Sequence, residues 1–151
     1  MTESPPRLWC RAPIRLNQPY HKMLGLPELK IAIGGVNSAA AINRFVNDRI
    51  HYTRDRADAW QSPSVTLECG RGDCEDMALL KMAMLADLGV KSWLLLVYDK
   101  IARLHHAVAL TSNLVFDLHT PKPLPIEMVP DYRPILALTR TEAWLYGKAA
   151  I

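Results

Sequence analysis

The sequence predicts an α+β fold in which one central helix packs against an antiparallel β-sheet. Apolar residues recur at helical spacing between Met77 and Leu88, which indicates a helix with a buried face. Short apolar runs follow this helix, and polar turn residues separate the last two runs, so we expect three successive antiparallel strands. The runs span residues 91–98, 105–110 and 113–118.

The start of the predicted helix carries a capping pattern. Residues 70–76 read GRGDCED, in which Asp73 precedes the helix and Asp76 follows three residues later. In such a pair, each side chain bonds the backbone N–H of the other residue. Gly89 provides the corresponding stop signal. Cys74 therefore falls in the first turn of the helix.

Cys74 is a candidate nucleophile because of this position. Free backbone N–H groups and the helix dipole stabilise a thiolate, and the same donors can bind an oxyanion. The carboxylates of Asp73, Glu75 and Asp76 act in the opposite direction, since nearby negative charge raises the pKa of a thiol. A reactive Cys74 therefore needs a histidine partner, and a metal ion would offset the carboxylates.

The predicted strands supply a base and an orienting group. His106 begins the second apolar run, and Asp117 is a polar residue inside the third run. A hairpin that turns near residues 112 and 113 brings positions 106 and 117 to a similar height. Cys74, His106 and Asp117 would then form the nucleophile, base and orienting carboxylate of acyl-transfer chemistry. His119 is the rival candidate for the base.

The motifs of residues 36–125 resemble those of the bacterial transglutaminase-like cysteine peptidases. That family combines an Asn/Arg-rich helix, a Trp-x-x-Pro turn, a Gly-Asp-Cys-Glu-Asp box, a His-Ala-Val strand and a following Asp. All five motifs occur here in the same order, and the five-residue box is the most specific of them. They are residues 43–55 (NRFVNDRIHYTRD), 60–63 (WQSP), 72–76 (GDCED), 106–108 (HAV) and 115–117 (VFD).

The resemblance implies a papain-like or transglutaminase-like core with a Cys-His-Asp triad at Cys74, His106 and Asp117. It further implies hydrolysis of a peptide or amide bond in a protein or peptide substrate. The best known relatives are calcium-dependent periplasmic proteases that cleave bacterial adhesins. By that likeness, Asp73 and Glu75 would bind calcium, with Asp76 as a third candidate ligand. No organic cofactor is implied.

The remaining segments complete the expected organisation. Residues 1–30 are rich in proline and are expected to form an extended arm, followed by a single domain over residues 31–151. Asn37 or Ser38 is expected to cap a helix before the central one. Trp60 and Gln61, just upstream of the box, are candidate oxyanion donors. The C-terminal part is expected to contain a strand at 135–138 and a closing helix capped by Thr139 or Thr141.

Composition excludes several classes of protein. Half of the 151 residues are hydrophobic, and the net charge of +3 comes from scattered basic residues, so no nucleic-acid-binding stripe is present. Three cysteines leave one unpaired, which fits a reducing compartment or a catalytic thiol. No apolar run approaches the roughly 20 residues that span a membrane. Without a visible export signal the sequence predicts a cytoplasmic protein, whereas the family resemblance implies the periplasm.

Two alternative functions remain open at this stage. The first is transglutaminase-like transfer of the acyl group to an amine, which differs from hydrolysis only in what reaches the thioester. The second is a calcium-responsive binding or regulatory module without catalysis, which predicts an unreactive Cys74. A zinc site built from Cys69, Cys74 and His105 or His106 is a third reading, although its spacing matches no known structural site.

Overall fold

A computed structural model of the chain describes residues 3–54, 59–129 and 131–147. Within these ranges, three helices and three short strands precede the central helix, and strands dominate after it. The helices are α1 (His21–Leu24), α2 (Ala39–Arg49), α3 (Pro63–Cys69) and α4 (Cys74–Asp87). The strands are β1 (Pro13–Arg15), β2 (His51–Tyr52), β3 (Arg71–Gly72), β4 (Trp93–Asp99), β5 (Leu104–Leu110), β6 (Leu114–Phe116), β7 (Leu124–Pro125), β8 (Tyr132–Leu138) and β9 (Ala143–Tyr146).

The main sheet has seven strands in the order β1-β9-β8-β4-β5-β6-β7. Every neighbouring pair in it is antiparallel. The predicted run of three successive antiparallel strands is confirmed as β4, β5 and β6. The predicted α+β class is confirmed as well, with α4 packed against this sheet.

Both faces of the central strand β4 are buried. Leu94 belongs to the core that contains the helices, whereas Trp93, Leu95 and Val97 belong to a second core. Successive side chains of a strand point to opposite faces, so a strand covered on both sides is apolar at every position. This explains the uninterrupted apolar run that the sequence shows here.

Helix α4 lies inside the protein, and its ten residues from Asp76 to Leu85 are all buried. The expected capping box is confirmed, because Asp73 and Asp76 each accept the other's backbone N–H. The helix ends at Asp87, and Gly89 follows with a φ of 75°, in the left-handed region that glycine adopts at no cost.

Helix α2 covers the same core as α4. Ser38 is its cap, as one of the two expected candidates, and its hydroxyl accepts the N–H of Ala41. The apolar Ile42 and Val46 are buried, and so is the polar Asn43. Asn43 therefore has a structural role, which is described with the candidate site below.

The expected closing helix is wrong, because residues 143–146 form strand β9. Thr139 resembled a helix cap, and its hydroxyl does accept the N–H of Glu142 at 3.1 Å. The same Thr139 donates its own N–H to the carbonyl of Glu142 at 2.9 Å, which makes a hairpin turn instead of a first helical turn. The strand predicted at 135–138 is the C-terminal part of β8, and β9 follows it.

The proline-rich segment before residue 30 contains β1 and α1. Strand β1 pairs with β9 at the edge of the main sheet. Leu8 and Met23 are completely buried, whereas Ile14 of β1 is 60% exposed. The arm therefore contacts both cores through Leu8 and Met23, while the division of the chain at residue 30 stays a prediction.

Candidate active site

The turn before α4 is held in place by a short parallel sheet and two glycines. Strand β2 pairs with β3, so the end of α2 lies beside the start of α4. Gly70 has a φ of 71°, which favours glycine. A Cβ atom at Gly72 would lie 2.7 Å from the Cβ of Asp76, so no larger residue fits there. The glycines of the GRGDCED segment are thus explained by backbone geometry.

Both carboxylate oxygens of Asp76 accept hydrogen bonds from backbone N–H groups. One carboxylate oxygen accepts the N–H of Gln61 at 2.8 Å, and the other accepts the N–H of Asp73 at 3.1 Å. Burial raises the pKa of Asp76 to about 7. This side chain joins Gln61, two residues before α3, to the start of α4, so it supports the site rather than offering free oxygens to a metal.

Cys74 is half-buried at the first position of α4. Its Sγ donates to Oε2 of Glu75 at 3.3 Å. Burial, followed by the charge and hydrogen bond of Glu75, raises the pKa of the Cys74 thiol to about 12, although the backbone N–H of Ala107 in β5 acts to lower it. Among the described residues no hydrogen bond joins Cys74 to His106. The thiol is therefore held in its protonated form by its acidic neighbour.

His106 on β5 contacts Asp117, the residue that follows β6. Nε2 of His106 lies 2.8 Å from Oδ1 of Asp117, and both side chains are buried. Because Asp117 takes Nε2, the remaining ring nitrogen of His106 is Nδ1. His119, the rival base, is exposed, and its backbone N–H donates to Oδ1 of Asp117 at 3.2 Å. The geometry thus favours His106 over His119 as the partner of the carboxylate.

The Asn-rich helix α2 supports the loop that carries Asp117. The side-chain amide of Asn47 donates to the carbonyls of Asp117 and Thr120 at 2.9 and 3.0 Å. The buried amide of Asn43 donates to the carbonyls of Thr120 and Pro121 at 2.8 and 3.2 Å. These four bonds hold residues 117–121 in an irregular conformation that lacks strand partners, so Asn43 and Asn47 act as positioning residues.

Tyr132 is a site residue that sequence reasoning missed. Its hydroxyl donates to Oδ2 of Asp117 in a short hydrogen bond. Its ring meets the ring of His106 edge to face, with the centroids 5.8 Å apart. The hydrogen bonds of His106 and Tyr132 outweigh burial and lower the pKa of Asp117 to about 2. Tyr132 begins β8, two strands away from β5, and no local sequence signal connects it with the site.

Lys81 is a second residue without an expected role. It lies two turns after Cys74 on α4, and only 1% of its surface is exposed. Burial lowers the pKa of Lys81 to about 7, while the charge of Asp117 acts to raise it. The entire side chain of Lys81, and not only its apolar stem, is buried.

Replacing Lys81 with methionine is expected to stabilise the fold below pH 7. The lowered pKa means that a buried ammonium destabilises the native state most where Lys81 is protonated in both states, below about pH 7. This cost falls as pH rises toward the unfolded pKa of about 10.4. We expect Lys81→Met to raise the free energy of unfolding by about 1–3 kcal/mol at pH 6, and by less at pH 9.5.

Urea unfolding at the two pH values measures this difference, with Lys100→Met as the control because Lys100 is exposed. A gain that is the same at both pH values, or a loss, would contradict the expected cost of the buried ammonium.

The two candidate oxyanion residues have different surroundings. The Trp60 ring packs against Tyr20, with centroids 5.7 Å apart, and the Lys22 ammonium lies 5.3 Å from its centre. The backbone of Gln61 is fixed to Asp76, at the start of the helix that carries Cys74. Its side-chain amide makes no hydrogen bond within the described residues, and its buried oxygen has no partner. Gln61 is therefore the freer donor.

Asp73 and Glu75, the two acidic residues on either side of Cys74, lie near each other. Burial and the charge of Asp73 raise the pKa of Glu75. No ion pair within the described residues neutralises Asp73 or Glu75. The three acidic candidates do not form a group with closely spaced ligand atoms; among the described residues, that property belongs to His106, Asp117 and His119. Asp73 and Glu75 therefore suit a cation by charge, whereas the oxygens of Asp76 are already bonded.

This chain is similar to several known proteins. The family model described as bacterial transglutaminase-like cysteine proteinase matches residues 23–116. LapG of Legionella pneumophila is 26% identical, with a TM-score of 0.65 over 78% of this chain and 71% of LapG. EGTA-treated LapG gives 25% identity and a TM-score of 0.68, covering 82% of this chain and 73% of that one.

The calcium-bound form of Legionella pneumophila LapG shares the fold at 24% identity and a TM-score of 0.66, covering 82% of this chain and 76% of that one. No curated protein sequence matches. The predicted papain-like or transglutaminase-like fold is confirmed by these structures. Because the family model spans more than half of the chain, the protein belongs to the bacterial transglutaminase-like cysteine proteinases.

Proposed function

We propose that this protein is a cysteine peptidase in which Cys74 is the nucleophile, His106 the base and Asp117 the orienting carboxylate. The observation that carries the proposal is the buried 2.8 Å bond between His106 Nε2 and Asp117 Oδ1. That bond fixes the ring, and it leaves Nδ1 as the nitrogen that can exchange a proton with Cys74. The backbone N–H of Ala107, the residue after His106, acts to lower the pKa of Cys74, and this proximity of the thiol to β5 supports the proposal.

The proposed reaction proceeds through a thioester. Nδ1 of His106 takes the thiol proton, and Sγ of Cys74 attacks the carbonyl carbon of the substrate. The C–N bond breaks, and the amine leaves with the proton that His106 carries. Water then attacks the thioester with His106 as base, and the thiol and a carboxylic acid are released. Asp117 stays ionised throughout, as its lowered pKa favours, and it stabilises the imidazolium.

Gln61 and the backbone of Cys74 are the proposed oxyanion donors. The N–H of Cys74 has no acceptor within the part of the chain that the structure describes, as expected at the first position of a helix. Gln61 is held at the same helix start by Asp76. Two donors aimed at one oxygen are the arrangement that stabilises a tetrahedral intermediate. Trp60 is the weaker candidate because its ring packs against Tyr20 and Lys22.

Calcium is the proposed cofactor, with Asp73 and Glu75 among its ligands. Hard carboxylate oxygens suit calcium, although a complete shell of 6–8 oxygens needs further ligands. The fit rests on charge, because the charge of Asp73 acts on Glu75 and no ion pair among the described residues neutralises either carboxylate. A bound divalent ion would supply positive charge beside the thiol. Glu75 would then no longer hold the Cys74 proton, which frees the thiol for His106.

Glu75→Gln is expected to make Cys74 reactive without calcium. Glu75 raises the pKa of the thiol through its charge and its hydrogen bond, and glutamine removes the charge while keeping a similar shape. We expect iodoacetamide to alkylate Cys74 at least about tenfold faster at pH 7.5 in chelator, which corresponds to about one pKa unit. Peptide mass spectrometry of quenched samples measures the rate at this one cysteine.

Glu68→Gln is the matched control, since Glu68 is an exposed glutamate on α3. If Glu75→Gln reacts as slowly as the wild type in chelator, the inhibitory role of Glu75 is wrong.

Incubation with a peptide library tests the proposed function directly. The protein is given calcium, the library and an added primary amine, and the products are identified by mass spectrometry. New carboxyl termini indicate hydrolysis, and amine adducts indicate the transglutaminase-like alternative. If neither product forms while calcium still binds, the non-catalytic calcium-responsive module replaces the peptidase proposal.

A further inference from the structure

Three side chains with metal-ligating atoms meet where β5 begins and the chain leaves β6. They are His106, Asp117 and His119, and one ligand atom from each lies within 4.8 Å of the other two. The two histidine rings lie 5.0 Å apart between centroids, tilted by 32°. Neither Asp73 nor Glu75 belongs to this group, so it is separate from the proposed calcium ligands.

We propose that this cluster is a zinc site and that zinc bound there blocks His106. Two imidazole nitrogens and one carboxylate oxygen form a ligand set that zinc prefers, whereas calcium prefers oxygen ligands. Three protein ligands leave a fourth tetrahedral position for water. The site therefore discriminates between the two metals by ligand chemistry.

The geometry needs small adjustments to hold zinc. Ligand atoms of a tetrahedral zinc ion at about 2.05 Å lie about 3.3 Å from one another. The His106 and Asp117 atoms are 2.8 Å apart and must separate by about half an ångström, since the ion replaces the proton between them. His119 must approach from up to 4.8 Å, and its exposed side chain is free to do so.

The carboxylate is already oriented for such an ion. Tyr132 holds Oδ2 of Asp117, which leaves Oδ1 as the oxygen nearest to His106. The backbone N–H of His119 donates to the same Oδ1 at 3.2 Å, which keeps the loop carrying His119 close. A cleft of about 290 Å³, lined in part by Asp117, His119, Met128 and Tyr132, lies beside the cluster. Two of the three ligands, Asp117 and His119, therefore line an open cleft.

Bound zinc would remove the base. A neutral imidazole that binds a metal through Nε2 carries its proton on Nδ1. Nδ1 of His106 then has no lone pair for the Cys74 proton, and Asp117 no longer orients the ring. This inhibition rests on the proposed function, but the binding of zinc does not.

Direct metal binding tests the site without any assay of activity. Cys74→Ser, saturated with calcium, is titrated with Co²⁺, whose visible absorption reports tetrahedral ligation, and Zn²⁺ is then added to displace it. We expect one equivalent of metal to bind without the thiol. Adding His119→Ala removes one of the three proposed ligands. It should therefore weaken binding at least about tenfold, the smallest loss seen when the hydrogen-bond partners of metal ligands are removed. Adding His105→Ala should leave the affinity unchanged, because His105 is an exposed histidine outside the cluster.

Inhibition is measured in the wild-type protein with calcium present, and each variant is compared with its own zinc-free rate. His119→Ala should shift the inhibitory zinc concentration upward at least about tenfold, and His105→Ala should not. The proposal is overturned if calcium-loaded Cys74→Ser binds no zinc, or if His119→Ala binds it as tightly as the parent. If the protein binds zinc as expected but cleaves no peptide, the metal site stands and the peptidase proposal is wrong.

Discussion

Cys74→Ala is expected to abolish peptide hydrolysis, with a loss of about 10⁴-fold or more in kcat/KM. No other residue can form the thioester, because Cys10 and Cys69 are exposed and lie outside the site. The helix start should persist in the variant, since its capping depends on Asp73 and Asp76 and not on the thiol. Initial rates on a peptide identified as a substrate, with calcium present, measure the loss.

Cys69→Ala provides the matched control for this experiment. Cys69 is the last residue of α3, five positions before Cys74, and its side chain is solvent-exposed. Its replacement should leave kcat/KM within about twofold, as for a surface change away from the site. Equal losses in the two variants, or full activity in Cys74→Ala, would show that the thiol of Cys74 does not form the bond to the substrate.

His106→Gln is expected to lower kcat/KM by about 10³-fold, because the variant has no basic nitrogen. Glutamine is preferable to alanine, since its amide can still donate to Asp117 and so avoids leaving a buried carboxylate without that partner. Cys74 should also lose its reactivity toward iodoacetamide near neutral pH when calcium is present. Rapid-quench alkylation and peptide mass spectrometry follow the thiol independently of any substrate.

His105→Gln is the control for His106. The two histidines are neighbours on β5, but His105 is exposed and its ring meets Tyr98 instead of Asp117. Normal activity and normal Cys74 reactivity are expected in this variant. If His106→Gln retains both properties, the base must be another group, and His119 is the nearest candidate because its ring lies 5.0 Å from His106.

The sequence by itself determined the parts of the protein that depend on local order. The capping box at Asp73 and Asp76, the helix from Cys74, and its stop before Gly89 follow from residues a few positions apart. Strands β4, β5 and β6 follow from apolar runs and one turn, and their antiparallel pairing puts Asp117, just after β6, on the same face of the sheet as His106. The local sequence predicted a helix where β9 lies, because Thr139, which closes a hairpin, resembles a threonine that caps a helix.

Only the tertiary structure decided which groups surround the candidate triad. Tyr132 reaches Asp117 from β8, Asn47 reaches its carbonyl from α2, and Lys81 is buried on α4. The structure also directs the thiol to Glu75, and it brings His119 beside His106 and Asp117. Tyr132 and Asn47 come from elements that are distant from Asp117 along the chain, whereas the other groups are close in sequence to Cys74 or Asp117 and owe their contacts to the fold. Their positions depend on how sheet and helices pack, and no residue pattern within a single segment records that packing.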